Sequence, residues 1–321
     1  MKPYPLQFQP EFKERVWGGR NLERYGFAMP EGQIGEAWTI GDHPNGTTKV
    51  MNGELAGQGL DAVRENYGKE FFGVKGFSEK TGRFPLLIKL LDCQDDLSVQ
   101  VHPNDDYDNL PAGELGKTEM WYVLDAKPGA KIIYGLNPGV TREELAAKIA
   151  QNRITDSLYE VPVAAGDTFY IPAGTVHALC SGVLVAEIQQ NSDTTYRLYD
   201  YNRLGLDGKP RDLHVEDSLN VIAYEGSGAT RMTTELPARN EWLCIARSPY
   251  FTVEKGETEG SWELASGGDS FVIHIICEGS GTLRWEDGEL AAKPGDCFLI
   301  PANLGAYSFE GSLTMLRSLI P

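Results

Sequence analysis

Apolar and polar residues alternate in the segment SVQVHP, residues 98–103. Val99 and Val101 alternate with Gln100 and His102, and residues two apart in a strand lie on the same face. The pattern therefore predicts a short strand that directs Gln100 and His102 to one side, toward whatever the sheet encloses. The polar run that follows, residues 104–117, predicts a loop.

Two later segments add further donor groups to this side. Glu119 stands at the start of the apolar segment Met120–Leu124, which predicts the strand after the loop. The segment GDTFYIPAGTVHAL, residues 166–179, predicts a short strand and then a Pro-Ala-Gly turn that presents His177. Proline presets φ and glycine allows a positive φ, so this turn chemistry is specific.

Gln100, His102, Glu119 and His177 together predict a metal site. Imidazole nitrogens, a carboxylate and an amide oxygen suit zinc, manganese or iron better than soft metals. Either histidine alone is more simply interpreted as an ordinary half-buried residue that forms local hydrogen bonds. The order of the donors along the chain and the turn before His177 favour the metal site.

The rest of the pattern is mainly that of strands. Apolar runs predict strands over residues 84–91 and 183–190, with Glu187 on the face opposite Ile188. Lys89 interrupts the first run and is expected to reach outward to water, because a buried unpaired charge is costly. Helical spacing predicts a helix over residues 60–72, and a capping box predicts another over residues 141–152.

Simpler interpretations apply to several single residues. His43 lies in a turn and is expected to be solvated, whereas Trp38, Cys180 and His274 are expected to pack in the core.

The last part of the chain repeats the turn segment. GDCFLIPANLGAYS, residues 295–308, matches residues 166–179 at an offset of 129. At that offset Ala306 stands in the place of His177 and Asn303 in the place of Gly174. The internal repeat therefore predicts a second barrel that has lost its metal ligands. A Gly-, Thr- and Pro-rich linker is expected over residues 225–240.

Composition limits the possible partners. The chain has 321 residues, 41% of them hydrophobic, which suffices for a substantial core. Its net charge of −17 argues against nucleic acid and anionic membranes as partners. A phosphorylated substrate would therefore need a local basic pocket. The start of the sequence, MKPYPLQFQP, has no apolar core of a signal peptide, and the five cysteines form no CxxC pair, so a cytoplasmic protein is expected.

The two histidine motifs resemble the cupin signature, a jelly-roll barrel that holds a metal ion. More narrowly, the chain resembles the type I mannose-6-phosphate isomerases of the short bacterial kind. The Q-x-H-P and K-x-E-M segments carry this resemblance most specifically. The matching segments cover most of the first 200 residues: residues 17–19, 35–38, 85–89, 98–103, 117–120, 172–177, 192–193 and Arg197.

The resemblance implies a mainly β fold of two cupin (jelly-roll) barrels, with a few helices inserted in and around the first. Residues 1–225 would form the catalytic, metal-binding domain and residues 240–321 a degenerate cupin domain without ligands. It also implies one zinc ion per chain, held by Gln100, His102, Glu119 and His177. The implied reaction interconverts mannose 6-phosphate and fructose 6-phosphate through an enediol or enediolate.

Further roles follow from the same resemblance. Arg197 matches the family's active-site arginine, and Ser98 and Lys117 match residues near the substrate phosphate. Each of these two lies two residues from a metal ligand, so strand alternation also places it on the ligand side. Glu187, ten residues before Arg197, is the candidate catalytic base. The interval between Glu119 and His177 is only 58 residues, so the large helical insertion of longer members is absent and the site must be covered differently.

Three other functions remain open at this point. An iron-dependent cupin oxygenase would favour an H-x-H pair, whereas Gln100 stands at the first position here. A non-catalytic sugar-binding cupin would have no need for Glu187, Lys117 and Arg197 around the metal ligands. An isomerase for another sugar phosphate or a free sugar is not distinguished by the sequence, and neither is the oligomeric state.

Overall fold

The computed structural model describes residues 1–226, 230–232 and 236–321. Strands dominate these residues, as the sequence predicts. In chain order they are β1 (Leu6–Gln9), β2 (Glu11–Gly19), β3 (Ile34–Ile40), β4 (Asp42–His43), β5 (Gly46–Thr47), β6 (Lys49–Val50), β7 (Leu86–Cys93), β8 (Val99–Val101), β9 (Glu119–Ala126), β10 (Lys131–Leu136), β11 (Leu158–Pro162), β12 (Thr168–Ile171), β13 (His177–Leu179), β14 (Val183–Gln190), β15 (Tyr196–Tyr199), β16 (Thr230–Met232), β17 (Trp242–Arg247), β18 (Thr252–Ala265), β19 (Val272–Trp285), β20 (Gly288–Ala292), β21 (Cys297–Ile300) and β22 (Ala306–Leu319).

Helices α1 (Leu60–Phe72), α2 (Arg142–Ala150) and α3 (Val215–Val221) accompany the strands. Helix α1 has the predicted bounds but is interrupted at Gly68, where φ is 44°. At the start of α2, the Thr141 hydroxyl accepts from the Glu144 amide and the Glu144 carboxylate accepts from the Thr141 amide, which confirms the predicted capping box. Short 3-10 turns lie at Asn21–Tyr25, Gly53–Leu55 and Ile154–Ser157.

Two antiparallel sheets form the first barrel. One has the strand order β11-β10-β13-β8-β15 and the other β16-β12-β9-β14-β7-β2-β3. Trp121 and Phe169 from the larger sheet pack against Ile132 and Leu179 from the smaller one, so a shared core joins the two sheets. Helices α2 and α3 pack on the outer face of the smaller sheet. This arrangement directs Val99 and Val101 outward and leaves the opposite face of β8 toward the interior.

The second barrel is an eight-stranded sheet in which β17 to β22 are joined by β1 and β6 from the start of the chain. Leu6 in β1 pairs with Leu299 in β21, so this sheet crosses the proposed boundary between residues 1–225 and 240–321. That division remains a prediction. Residues 227–229 and 233–235 of the expected linker lie outside the described residues, while Thr230–Met232 form β16 and pair with β12.

Strands β7, β9 and β14 are buried on both faces. Ile88, Met120 and Ile188 lie in the core shared with the second barrel, whereas Leu91 and Val185 lie in the core of the first barrel. This explains why the sequence of these strands is continuously apolar rather than alternating. The prediction for Lys89 is wrong: its side chain points into the first barrel instead of outward to bulk water, and the residue is 3% exposed.

The repeated turn is confirmed. Gly166 and Gly295 have φ values of 90° and 87°, and each precedes a short strand, β12 or β21. The Asp167 carboxylate accepts from the Ala164 amide at 3.0 Å, and the Asp296 carboxylate accepts from the Lys293 amide at 3.0 Å. The two turns therefore share their internal hydrogen bonds as well as their sequence.

The predictions for single residues have mixed outcomes. Trp38, Cys180 and His274 are buried, as predicted. His43 is not solvated: it is 2% exposed, and its Nε2 atom lies 3.1 Å from Glu114 on the loop between β8 and β9. Among the described residues, no helix has the length and apolar character needed to cross a membrane.

Candidate metal centre and active site

Three of the four predicted metal ligands meet inside the first barrel. His102 follows β8, Glu119 begins β9 and His177 begins β13. One potential ligand atom from each lies within 4.8 Å of the others, and all three side chains are buried. The His102 and His177 Nε2 atoms lie 3.5 and 3.3 Å from the two Glu119 carboxylate oxygens. These distances bring two imidazoles and a carboxylate around a common point.

Hydrogen bonds fix both imidazoles from behind. His102 Nδ1 donates to the Thr194 carbonyl at 3.0 Å, and His177 Nδ1 donates to the Thr175 carbonyl at 2.8 Å. Each Nε2 atom is then left with its lone pair, and among the described residues neither Nε2 nor either Glu119 carboxylate oxygen has a hydrogen-bond partner. Because unpartnered buried polar atoms are costly, four such atoms facing one another fit a cation between them.

The electrostatics put these groups in their metal-binding protonation states. Burial, and next the nearby Lys117 ammonium, lower the pKa of His102 to about 3. Burial also lowers the pKa of His177. Burial opposes ionisation of Glu119, but the charge of Lys117 acts against it, and the pKa of that carboxyl is lowered. Neutral imidazoles and an ionised carboxylate are the forms that bind metal ions.

Gln100, the fourth predicted ligand, lies directly beside the cluster. Its Cα atom pairs with that of His177 across β8 and β13, and its side chain lines the main cavity of the barrel. The structure places Gln100 on the same face as His102, as alternation predicts. Its role as a ligand remains a prediction.

A cavity of about 560 Å³ opens above the cluster. The three clustered residues lie just beneath its lining, whereas their neighbours Gln100, Lys117 and Trp121 line it. The lining also includes the remaining predicted site residues, Ser98, Glu187 and Arg197, with Glu36, Lys89, Asp193 and Arg211, which the sequence did not assign to the site. All eight predicted site residues are therefore in or directly below one cavity.

Glu187 is one of three buried charged residues on the cavity wall, where Lys89 lies between it and Glu36. Its Cα atom pairs with those of Lys89 and Trp121 on the two flanking strands. Lys89 Nζ lies 3.2 Å from Glu187 Oε1 and 3.8 Å from Glu36 Oε2, and Trp121 Nε1 donates to Glu187 Oε2 at 2.9 Å. The Lys89 ammonium is thus paired with two carboxylates instead of being hydrated.

The pKa values of Glu187 and Glu36 are shifted in opposite directions. Burial, and next the Glu119 charge, raise the pKa of Glu187, although Lys89 counteracts them. At Glu36, burial is outweighed by Lys89 and Arg15, which lower the pKa to about 2. Lys89 and Glu187 carry opposite charges, and each interrupts an apolar strand. This was the signal in the sequence from which their pairing could have been predicted.

Arg197 lies at the other end of the cavity. Its Nε donates to Ser98 Oγ at 3.2 Å, and its Nη1 donates to the Asp212 carbonyl at 2.8 Å. Lys117 lies nearer the metal cluster, with Nζ 3.4 Å from Glu119 Oε2. Ser98 and Lys117, the two residues predicted to lie near the substrate phosphate, are both buried. Of these two, Ser98 is the one that contacts Arg197.

Comparison with known proteins gives a consistent result over the whole chain. Residues 6–129 match the family model of the phosphomannose isomerase type I catalytic domain, and residues 244–320 match that of the mannose-6-phosphate isomerase cupin domain. The chain is 42% identical to mannose-6-phosphate isomerase ManA of Bacillus subtilis, with 97% of each chain covered. It is 38% identical to the mannose-6-phosphate isomerase of Streptococcus mutans, with 98% of each covered.

Solved structures agree. The crystal structure of the mannose 6-phosphate isomerase from Bacillus subtilis superimposes with a TM-score of 0.88 at 39% identity, covering 98% of this chain and 99% of that one. A zinc-bound mannose 6-phosphate isomerase superimposes with a TM-score of 0.77 at 18% identity, covering 98% of each chain, and so shares the fold.

Proposed function

Since this chain belongs to the type I phosphomannose isomerase family, we propose that it interconverts mannose 6-phosphate and fructose 6-phosphate. The reaction is an aldose–ketose isomerisation, in which one proton moves between C2 and C1 of the sugar while the carbonyl group changes place. The observation that carries the proposal is the convergence of four ligand atoms of His102, Glu119 and His177, none of which has a hydrogen-bond partner in the part of the chain that the structure describes.

The metal is proposed to be one zinc ion per chain. His102, Glu119 and His177 would hold it with the amide oxygen of Gln100, a donor set that suits zinc. When bound, the ion supplies a positive charge that polarises the substrate oxygens and stabilises the enediolate. The neutral imidazoles, each fixed through its Nδ1 hydrogen bond, need no rearrangement to accept it.

Glu187 is proposed as the base. Its side chain lines the cavity, and its Oε1 atom has Lys89 Nζ at 3.2 Å as its ion-pair partner. In this role Oε1 takes the proton from C2 of the open-chain aldose and returns it to C1. Lys89 at 3.2 Å and the Trp121 indole at 2.9 Å hold the carboxylate in place, and both favour its ionised form. The raised pKa of Glu187 suits a group that must both accept and release a proton.

The cationic and hydroxyl side chains are proposed to bind the rest of the substrate. Arg197 and Ser98, joined by their hydrogen bond, lie where the phosphorylated end of an extended sugar would reach. Lys117 places a second positive charge in the cavity, close to Glu119. Both cations favour a dianionic substrate in a chain whose net charge is −17.

The test is the formation of fructose 6-phosphate from mannose 6-phosphate by the purified protein, before and after chelation and after zinc is added back. We expect activity to be lost on chelation and restored by zinc. Restoration by manganese or iron alone would overturn the choice of metal. Absence of turnover in fully zinc-loaded protein would overturn the substrate, and free mannose and other aldose phosphates would then be tested.

A further inference from the structure

Four charged side chains of alternating sign lie along one wall of the cavity. Glu187 on β14, Lys89 on β7, Glu36 on β3 and Arg15 on β2 belong to neighbouring strands of the larger sheet, and all four line the cavity. Lys89 Nζ lies 3.2 Å from Glu187 Oε1 and 3.8 Å from Glu36 Oε2. Arg15 Nε donates to Glu36 Oε1 at 2.7 Å. We call these four residues the charge chain.

The charge chain leads from the cavity rim into the protein. The Arg15 side chain is 32% exposed, whereas Glu36, Lys89 and Glu187 are buried. Its two positive and two negative charges balance. Because charges that are shielded from water are screened weakly, the proton affinity of Glu187 at the buried end responds to a change at the exposed end.

Arg15 and Trp38 satisfy Glu36 and so keep it from competing for Lys89. Arg15 Nε donates to one Glu36 oxygen and Trp38 Nε1 donates to the other, each at 2.7 Å. With both oxygens occupied, the Lys89 ammonium lies nearer to Glu187, at 3.2 Å against 3.8 Å from Glu36. The Trp38 ring also supports the ammonium, with Nζ 5.2 Å from the ring centroid. The contact of Lys89 with Glu187 thus depends on how Glu36 is held.

Other groups that face Glu187 act on it at the same time. On β9, Trp121 donates to its second oxygen, and the metal cluster of His102, Glu119 and His177 lies below the cavity. The remaining charged residues of the cavity wall are Glu14, Lys117, Asp193, Arg197, Asp207 and Arg211. Burial, and next Glu119, raise the pKa of Glu187, and Lys89 and Lys117 act against them. Among the described residues, Lys89 is the group that forms an ion pair with Glu187, so the charge chain acts on Glu187 through it.

We infer that Arg15 and Glu36 are positioning residues for the catalytic base: Arg15 holds Glu36, which leaves Lys89 against Glu187, and the charge chain thereby sets the lower limit of the pH range in which the enzyme works. The inference rests on the proposed function and on Glu187 as the base. Since the charges alternate, removing a positive member and removing a negative member should act in opposite directions. A mere loss of stability would not produce opposite effects.

The decisive variants are Arg15→Gln and Glu36→Gln, with kcat/KM for mannose 6-phosphate followed against pH in the zinc-loaded enzyme. The base must be ionised, so activity is lost as the pH falls through its pKa. In Arg15→Gln, Glu36 draws Lys89 away from Glu187, the pKa of the base rises, and the acid limb should move to higher pH by about half a unit. In Glu36→Gln, Lys89 pairs with Glu187 alone, the pKa falls, and the acid limb should move to lower pH by about one unit. Shifts in the same direction, or no shift in either variant, would overturn the inference.

The double variant tests whether Arg15 acts through Glu36. Adding Arg15→Gln to Glu36→Gln should move the acid limb no further, because no carboxylate is left for Arg15 to hold. A further shift as large as that of the single Arg15 variant would show that Arg15 acts on Glu187 directly, and the inference would be wrong.

Lys13→Gln is the matched control for the loss of a positive charge. Lys13 lies on β2, as Arg15 does, but its Nζ donates to Glu11 at 2.6 Å and to the Asn45 carbonyl at 2.8 Å. This variant should leave the acid limb in place. Arg15→Lys keeps a positive charge beside Glu36 and should restore most of the wild-type profile. A raised KM with an unchanged acid limb in Arg15→Gln would make Arg15 a substrate contact and contradict the inference.

Infrared difference spectroscopy of the zinc-loaded protein keeps this test separate from the proposed function. The band of the protonated Glu187 carboxyl is identified by its absence in Glu187→Gln, and its pH dependence is measured without substrate. Opposite shifts in the Arg15 and Glu36 variants support the inference even if mannose 6-phosphate is not turned over. Turnover of mannose 6-phosphate with an unshifted acid limb and an unshifted band in both variants overturns the inference and leaves the proposed function intact. Thermal unfolding and metal content confirm that each variant is folded and loaded.

Discussion

The two barrels share a turn and differ in what fills their interiors. In the first barrel Ile171 pairs with Glu119, and in the second the corresponding Ile300 pairs with Val272. The offset of the turn places Ala306 where the first barrel has His177. An apolar side chain thus stands at each of these two positions, and no unpartnered group is left there to hold a cation.

Aromatic side chains fill the interior of the second barrel. Phe298 and Phe309 are fully buried, with Trp262 and Tyr307 packed beside them. His274 is accommodated by a hydrogen bond between its Nε2 atom and the Tyr307 hydroxyl at 2.9 Å, and burial lowers its pKa to about 3. A histidine in a barrel interior is therefore not sufficient for a metal site: it needs a second donor and a carboxylate at the right register.

A second pair of positions shows the same contrast. Glu187 pairs with Trp121 in the first barrel, and Arg317 pairs with His274 in the second. Glu187 lines the cavity, whereas Arg317 binds Glu254 at 2.8 Å and stacks 4.1 Å from the Trp242 ring centroid. At these two positions, the charged side chain of the second barrel is paired inside the fold, and that of the first barrel lies on a cavity wall.

The largest effect on metal binding and activity should come from replacing His177 by alanine, the residue that the second barrel has at the corresponding position, 306. In His177→Ala, loss of one imidazole should lower metal affinity by more than about 100-fold, because even residues that only orient ligands contribute 10- to 100-fold. Activity should fall by more than about 10³-fold, since the ion supplies several kcal/mol of transition-state stabilisation. Metal content by mass spectrometry and turnover of mannose 6-phosphate are the measurements.

The reciprocal variant, Ala306→His, is the control. It adds an imidazole to the second barrel, where Val272 offers no carboxylate. Metal content should stay at one ion per chain. A second bound ion would show that the turn alone specifies a site, and full metal content in His177→Ala would remove His177 from the ligands.

The next largest effect concerns the base. In Glu187→Gln the shape of the side chain is kept while proton transfer is lost, so kcat should fall by about 10²- to 10⁴-fold with metal content unchanged. Glu254→Gln, which removes the carboxylate partner of Arg317 in the second barrel, should leave kcat unaltered. If the Glu187 variant kept most of its turnover, the base would have to be another group on the cavity wall.

Local patterns in the sequence predict much of this site. Period two predicts that Gln100 and His102 share a face, and the Pro-Ala-Gly turn predicts the presentation of His177. The repeat predicts the second barrel and its missing ligand. These features depend on a few neighbouring residues, so they can be recognised without knowing which strands are adjacent.

What the sequence does not predict depends on long-range neighbours. Lys89 meets Glu187 only because β7 and β14 are adjacent in the sheet, and no local pattern specifies that order. His43 is buried because Glu114 comes to it from a distant loop. Arg211 enters the cavity through an irregular hairpin that lacks any hydrophobic period.

A smaller effect should distinguish the barrels by stability. Phe169 and Phe298 occupy corresponding positions on β12 and β21, and both are fully buried. Replacing either by alanine should cost about 3–5 kcal/mol in the free energy of unfolding, measured with urea. Only Phe169→Ala should also lower the activity of the folded fraction, because Phe169 packs in the core that adjoins Trp121 and the cavity. Equal activity losses in both variants would mean that the second barrel shapes the site directly.

The smallest effect is a shift in the pH profile. Trp121 Nε1 donates to Glu187 Oε2 at 2.9 Å and so stabilises the ionised carboxylate. Trp121→Phe removes the donor, and the pKa of Glu187, already raised by burial and by Glu119, should rise further. The base must be ionised, so activity is present above this pKa and is lost as the pH falls through it. The acid limb of kcat/KM should therefore move to higher pH by about one unit, which corresponds to one hydrogen bond to a charged group.

His274→Phe, at the corresponding position of the second barrel, should leave the profile in place. An acid limb that stayed unchanged in Trp121→Phe would show that the ionisation it reports belongs to a group other than Glu187.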